Sequence, residues 1–304
     1  MTKRPTNIAA SVRARLLAGA RQRGEDFQLV LQRYAAERFL FRLGESRHRE
    51  RFVLKGAMLF ALWGGSMYRA TRDLDLTGYA GHSPQLLTDV IREISAIPCP
   101  VDGIEFLAQT VRTEPIRDES EYAGFRVRLE ARLESARIIL KVDVGFGNAI
   151  VPAAVDVEYP TLLDVPQPRI RAYPREAVVA EKFQAMVVLG STNSRLKDFY
   201  DLFVLSARFS FSGDTLTKAI AATFARRKTP IPTAPPAPLS PAFFSGATRA
   251  TQWRGYLDRN SLPGAPNDFD ATGEVLRAFL GPPFRALAAG EDFSGEWQPG
   301  GPWR

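Results

Sequence analysis

The chain has 304 residues, 45% hydrophobic and 24% charged, with 40 Lys+Arg against 33 Asp+Glu, a formal charge of +7 and a pI near 9.7. This is the composition of an ordinary globular protein long enough for two lobes, and the basic surplus favours a polyanionic partner. The lone cysteine, Cys99, excludes an internal disulfide, and no run approaches the ~18 apolar residues of a membrane span. With no apolar signal core behind Met1, the expected location is the cytoplasm.

In chain order, helical spacing predicts amphipathic helices over 8–23 and 26–43, the second carried by Phe27, Val30, Leu31, Tyr34, Ala35, Phe39 and Leu40. A short strand is predicted at 51–54, followed by Lys55-Gly56-Ala57 and an apolar helix that stops at Gly64-Gly65. The run 72–77 alternates acidic and apolar residues as a strand does, and a helix is expected over 84–96. Three strands follow at about 104–113, 123–134 and 136–146. In the middle one, Phe125, Val127, Leu129, Ala131 and Leu133 oppose Arg126, Arg128, Glu130, Arg132 and Glu134, the pattern of a sheet with one covered and one wet face. In the third, Lys141 and Asp143 share the face opposite Ile138, Leu140, Val142 and Val144.

Beyond about residue 160 the text turns helical, with helices predicted at 174–189, 195–207, 214–227, 248–259 and 267–280. A proline-rich connector is expected over 229–241, and a mobile Gly/Pro-rich tail over the last dozen residues. The expected architecture is α+β in two lobes: a mixed sheet with flanking helices over residues 1–165 and a helical domain over 166–304, with the active site in the cleft facing the helical lobe.

Asp73-Leu74-Asp75 is the chemical centre of the sequence. On a strand, residues i and i+2 point the same way, so the two carboxylates share a face. Like charges that close favour a cation between them, and a few hard oxygen donors suit Mg²⁺. Asp143, on the polar face of a later strand, is the natural third carboxylate for a two-metal site. Taken alone, an Asp-x-Asp pair is more often a solvated strand edge. Other site types fit poorly: two histidines, His48 and His82, and one cysteine are too few for a His/Cys zinc site, neither histidine stands in a nucleophile motif, and there is no P-loop.

The combination is more specific. Lys55-Gly56-Ala57, Arg69-Ala70-Thr71-Arg72-Asp73-Leu74-Asp75-Leu76, Lys141-Val142-Asp143, Glu181-Lys182 and Lys197-Asp198-Phe199-Tyr200-Asp201-Leu202 occur in an order and spacing that resemble the AbiEii/AbiGii toxins, a branch of the DNA polymerase β-like nucleotidyltransferases. The resemblance covers roughly residues 25–285 and departs at Ala57, where the superfamily has Gly or Ser. It implies a toxin of a toxin–antitoxin or phage-defence pair that transfers a nucleotide from an NTP to an RNA, in characterised relatives the tRNA 3′ end, with a cognate antitoxin as partner. It also implies that Asp73, Asp75 and Asp143 hold Mg²⁺, that Lys55, Gly56, Ala57, Arg69 and Arg72 meet the nucleotide, and that Lys182 and one aspartate of 197–202 act with them. Asp201 is favoured over Asp198 for that role, although Lys197 and Asp201 could pair on a helix surface. Arg69 and Arg72 could equally bridge neighbouring acids, and Thr71 could be strand packing alone. Arg126, Arg128 and Arg132, or the cluster Arg226-Arg227-Lys228, could follow an RNA backbone. Two other readings stay open: transfer to a protein or small-molecule hydroxyl, and an inactive RNA-binding scaffold.

Overall fold

The computed structural model describes residues 7–64, 69, 71–78, 83–116, 124–260, 262 and 264–304. The chain forms two compact units, one of residues 1–147 with 155–172 and the other of 148–154 with 173–304. His82 and Gly65 lie outside the described residues.

The first unit opens with α1 (Ile8–Arg23) and α2 (Phe27–Glu45). Asn7 and Asp26 cap them, each accepting a first-turn backbone N–H, and Gly24 ends α1 in the left-handed conformation. Then come β1 (Phe52–Lys55), a 3₁₀ turn at Gly56–Met58, α3 (Leu59–Gly64), β2 (Asp73–Gly78) and α4 (Pro84–Ser95). The unit closes with β3 (Ile104–Pro115), β4 (Gly124–Leu133), β5 (Ala136–Phe146), β6 (Val155–Glu158) and β7 (Arg169–Ala172).

These strands form one mixed sheet in the order β3-β4-β5-β2-β1-β7-β6. The β2–β5 and β1–β7 pairs are parallel and the others antiparallel. Leu74, Leu76, Val127, Leu129, Leu140, Val142 and Val144 are fully buried on the face to which α2 and α4 contribute. The alternate residues of the same strands, mostly polar apart from the exposed Ile139 and the glycines, point to the other face, as the period of two requires.

Two departures from the sequence reading concern β6 and β7. Neither was expected, and the predicted boundary at 165/166 falls inside their hairpin. Four-residue strands of mixed charge and apolar residues carry too little alternation to be read. The linker between them is fastened to α2 by a buried pair: Glu37 accepts the Leu162 N–H at 2.9 Å, and Arg38 donates to Pro166 O at 2.8 Å.

The second unit contains α5 (Arg175–Leu189), α6 (Leu196–Arg208), β8 (Phe211–Ser212), α7 (Gly213–Arg226), α8 (Pro241–Phe244), α9 (Ala247–Asn260), α10 (Phe269–Ala289) and β9 (Glu296–Trp297). Helix α10 runs past Pro282 and Pro283, where the sequence predicted its end at 280. Its apolar face, with Phe279, Leu280 and Phe284 all buried, continues across the prolines and outweighs the lost backbone bonds. The expected mobile tail is also corrected. β9 pairs with β8, Trp297 is buried and donates to Ser206 O at 2.7 Å, and Trp303 donates to Phe279 O at 2.8 Å while stacking on the Phe279 ring. Two indoles tie down a segment whose glycines and prolines alone read as loose. Among the described residues no helix is long and apolar enough to cross a membrane.

Candidate active site

The sheet order brings the expected acids together. Asp75 on β2 stands between Lys55 on β1 and Asp143 on β5, and Asp143 stands beside Arg126 on β4. Residues paired across strands share a face, so Lys55, Asp75, Asp143 and Arg126 form one row with charges in the order plus, minus, minus, plus. Asp73 lies two residues before Asp75 and on the same face. The flanking cations offset the repulsion that two adjacent carboxylates would otherwise suffer.

Gly56 shapes the row. Its φ is +75°, a conformation that favours glycine, and a Cβ there would fall 2.1 Å from Asp75 Oδ2. The backbone at Gly56 therefore approaches the Asp75 carboxylate more closely than any other residue type allows. Ala57 is buried in the core, so its side chain offers nothing to a ligand. Arg72 is exposed just ahead of β2, Arg69 is half-buried, and Thr71 donates to Asp73 O at 3.2 Å, a local bond that steadies the entry to the strand.

Asp143 has a partner that the sequence reading missed. Arg126 donates from Nε to Oδ1 at 2.8 Å and from its terminal nitrogen to Oδ2 at 2.7 Å, a bidentate pair on half-buried groups. This pair, more than the neighbouring charges of Asp73 and Glu114, holds the guanidinium protonated more firmly than usual. The expected three-carboxylate set is therefore not assembled as a metal cage: among the described residues no group of three His, Cys, Asp or Glu converges as a metal cluster does. The pairing follows from the β4–β5 hairpin, which turns at Glu134–Ser135 and sets Leu133 opposite Ala136, hence Arg126 opposite Asp143. A turn placed at those two residues would have revealed it from sequence.

Asp73 and Asp75 still suit a hard divalent cation. Asp73 Oδ1 is buried and has no hydrogen-bond partner among the described residues. A buried carboxylate oxygen without a donor is costly, and a cation satisfies it. The residues present thus fit Mg²⁺ held by Asp73 and Asp75, with Asp143 engaged by Arg126.

Within the second unit, Lys182 on α5 is paired with two aspartates of α6, Asp198 at 2.8 Å and Asp201 at 2.7 Å. Both aspartates are almost fully buried, and Asp198 also takes Arg195 at 2.9 Å. The alternative Lys197–Asp201 surface pair does not describe this helix: Lys197 is exposed, and Asp201 points to Lys182. Arg227 is engaged by Gln184 and Glu181, which ties part of the 226–228 cluster to its own unit.

The family model of the nucleotidyl transferase AbiEii toxin, type IV toxin–antitoxin system, matches residues 38–275. The chain belongs to the AbiEii nucleotidyl transferase toxin family. The match runs from within α2 into the start of α10 and so takes in the carboxylate row and the Lys182 cluster alike. Membership places this AbiEii chain among the toxins of two-component toxin–antitoxin systems. Two Helicobacter pylori crystal structures are similar to it. One, of a protein assigned as a nucleotidyltransferase, has 15% identity over 87% of this chain and 94% of its own, with a TM-score of 0.48. The other, JHP933, has 16% identity over 87% of this chain and 91% of its own, with a TM-score of 0.46. No protein of curated function matches the chain.

Proposed function

We propose that this AbiEii-family chain is a Mg²⁺-dependent toxin that transfers a nucleoside monophosphate from an NTP to an RNA hydroxyl, with the tRNA 3′ end as the acceptor. The observation that carries the reading is the joint geometry of Gly56 and the aspartates. A left-handed glycine lets the backbone close on Asp75, while Asp73 keeps a buried oxygen without a donor among the described residues. The two carboxylates share one strand face, where a bound cation would offset their mutual repulsion. Bound there, a divalent cation would neutralise triphosphate charge and ease ionisation of an attacking hydroxyl.

The chain's own residues supply the rest. Asp73 and Asp75 orient the cation from one strand face. Lys55, in register with Asp75, adds positive charge beside the glycine turn, where it would meet phosphate oxygens as a point charge. Arg126 holds Asp143 in place and keeps it from repelling an incoming anion. The basic net charge favours a polyanionic acceptor over a cationic small molecule.

Purified protein incubated with each labelled NTP, Mg²⁺ and total RNA tests the reading. The expected result is label on tRNA, dependent on Mg²⁺ and lost in Asp73→Ala. Label on protein or on a small molecule moves the acceptor elsewhere. No label with any NTP overturns the reading.

A further inference from the structure

A line of cations runs across the sheet from Asp73. In register, Asp73 on β2 faces Lys141 on β5, Lys141 faces Arg128 on β4, and Arg128 faces Arg112 on β3. Neighbouring strands lie ~4.8 Å apart, so the four side chains stand abreast on one face over about 14 Å. Like charges directly opposite one another destabilise a sheet, yet here three follow in succession. Arg128 pairs with Glu114 at 2.9 Å, but these side chains are 52% and 53% exposed, and screening leaves such a pair little energy. Among the described residues, Lys141 and Arg112 make no ion pair; Arg112 donates only to the carbonyls of Gln109 and Val111. The line thus spends fold stability to hold positive charge on the face that carries the aspartates.

We propose that Lys141, Arg128 and Arg112 form the track for the acceptor's backbone phosphates: a single-stranded RNA end lies across β5, β4 and β3 with its terminal hydroxyl at Asp73. This rests on the reading of the chain as a nucleotidyl transferase acting on RNA. Sheet order separates the two phosphate-bearing ligands. Lys55 and Gly56 adjoin Asp75 from the β1 side, where the donor triphosphate belongs, and the cation line leaves Asp73 from the β5 side. Donor and acceptor then approach the carboxylates from opposite edges without competing for the same cations. None of the three contacts is built to read a base, so the track carries affinity and direction, not sequence choice.

The test measures binding of a short unstructured fluorescent RNA to the full chain across a salt series, for wild type, each of Lys141→Gln, Arg128→Gln and Arg112→Gln, and the triple variant. Each phosphate contact on a single strand contributes ~0.7 to the slope of log affinity against log salt, so the triple variant should lose about 2 from the slope and each single variant about a third of that. Thermal melts should show the variants folded and no less stable, since a like-charge line has been relieved. Affinity for Mg-NTP should not change. Wild-type RNA affinity and slope in the triple variant overturn the track and leave the line to an acidic protein surface. A loss confined to NTP affinity assigns the line to the donor and also overturns it, as does failure of the wild-type chain to bind RNA. Labelled-nucleotide transfer separates the two claims. RNA binding with the expected slopes but no transfer overturns the transfer reading and leaves the track; transfer with the triple variant's KM for RNA unchanged does the reverse.

Discussion

Arg126 holds both carboxylate oxygens of Asp143, at 2.8 and 2.7 Å, from the strand next door. The carboxylate expected to complete a metal site is thus occupied by an internal cation, one strand away from Asp75. Arg126→Gln should release it as a third oxygen donor and raise Mn²⁺ affinity by about tenfold, the scale of one charge-assisted contact at ~1.4 kcal/mol. Water-proton relaxation reads the affinity directly. Asp143→Asn should not raise it, and equal Mn²⁺ affinity in Arg126→Gln and wild type would show that Asp143 is no ligand in waiting.

Gly56→Ala should abolish nucleotide transfer, by about 100-fold or more, because the new methyl would overlap Asp75 Oδ2 at 2.1 Å and must displace the carboxylate. The left-handed φ adds a stability cost of about 1–3 kcal/mol. Mg²⁺-dependent thermal stabilisation should shrink in the same variant. Retained transfer with an unshifted Mg²⁺ response would mean that Asp75 does not need its present position.

Lys182→Met leaves Asp198 and Asp201 buried without their shared lysine. Breaking a buried ion pair from one side costs about 3–5 kcal/mol, so Tm should fall by roughly 10 °C. Lys182→Arg keeps a cation there and should keep most of the Tm. If Lys182→Arg nonetheless loses nucleotide transfer at native Tm, the lysine does more than fold α5 against α6. If both variants melt like wild type, the cluster is not structural.

Glu37 predicts a pH dependence of folding. Burial raises its pKa from 4.5 to about 7, against the opposing pull of Arg38 and the Leu162 N–H. The folded state therefore binds the proton more tightly than the unfolded chain. The stability this contributes is complete below about pH 4.5 and is lost as pH rises through about 7, a change of order 3 kcal/mol at most. Chemical denaturation should show wild type losing stability across that window and Glu37→Gln losing less. Parallel pH profiles for wild type and Glu37→Gln would rule this out.

Much of the fold was readable from local pattern. The α1 limits, Ile8–Arg23, agree with the helical period, and the alternation of β4 and β5 assigned their wet and covered faces. The Asp73–Asp75 pair was legible because a period of two is a property of the strand itself. The misreadings share a cause. Gly and Pro in the tail read as loose because their conformational freedom is local, whereas Trp297 and Trp303 are held by Ser206 and Phe279 from distant helices. Pro282 and Pro283 read as a stop because the lost backbone bonds are local, while the buried face that carries α10 onward is not. Lys182, Asp198 and Asp201 were all legible as candidates, but that one lysine pairs with both aspartates is set by the packing of α5 against α6.

Short-range periodicity, turn chemistry and the positions of the acids were therefore set by neighbouring residues along the chain. The partners of each charge were set by strand order. Residues 73 and 143 are far apart in sequence, but the parallel β2–β5 pairing places Asp143 beside Asp75 and Lys141 beside Asp73. The β4–β5 hairpin then gives Asp143 to Arg126 and Lys141 to Arg128. Coulomb energy depends on separation in space, so which acid stays open to a cation and which is already neutralised follows from the register of the folded sheet.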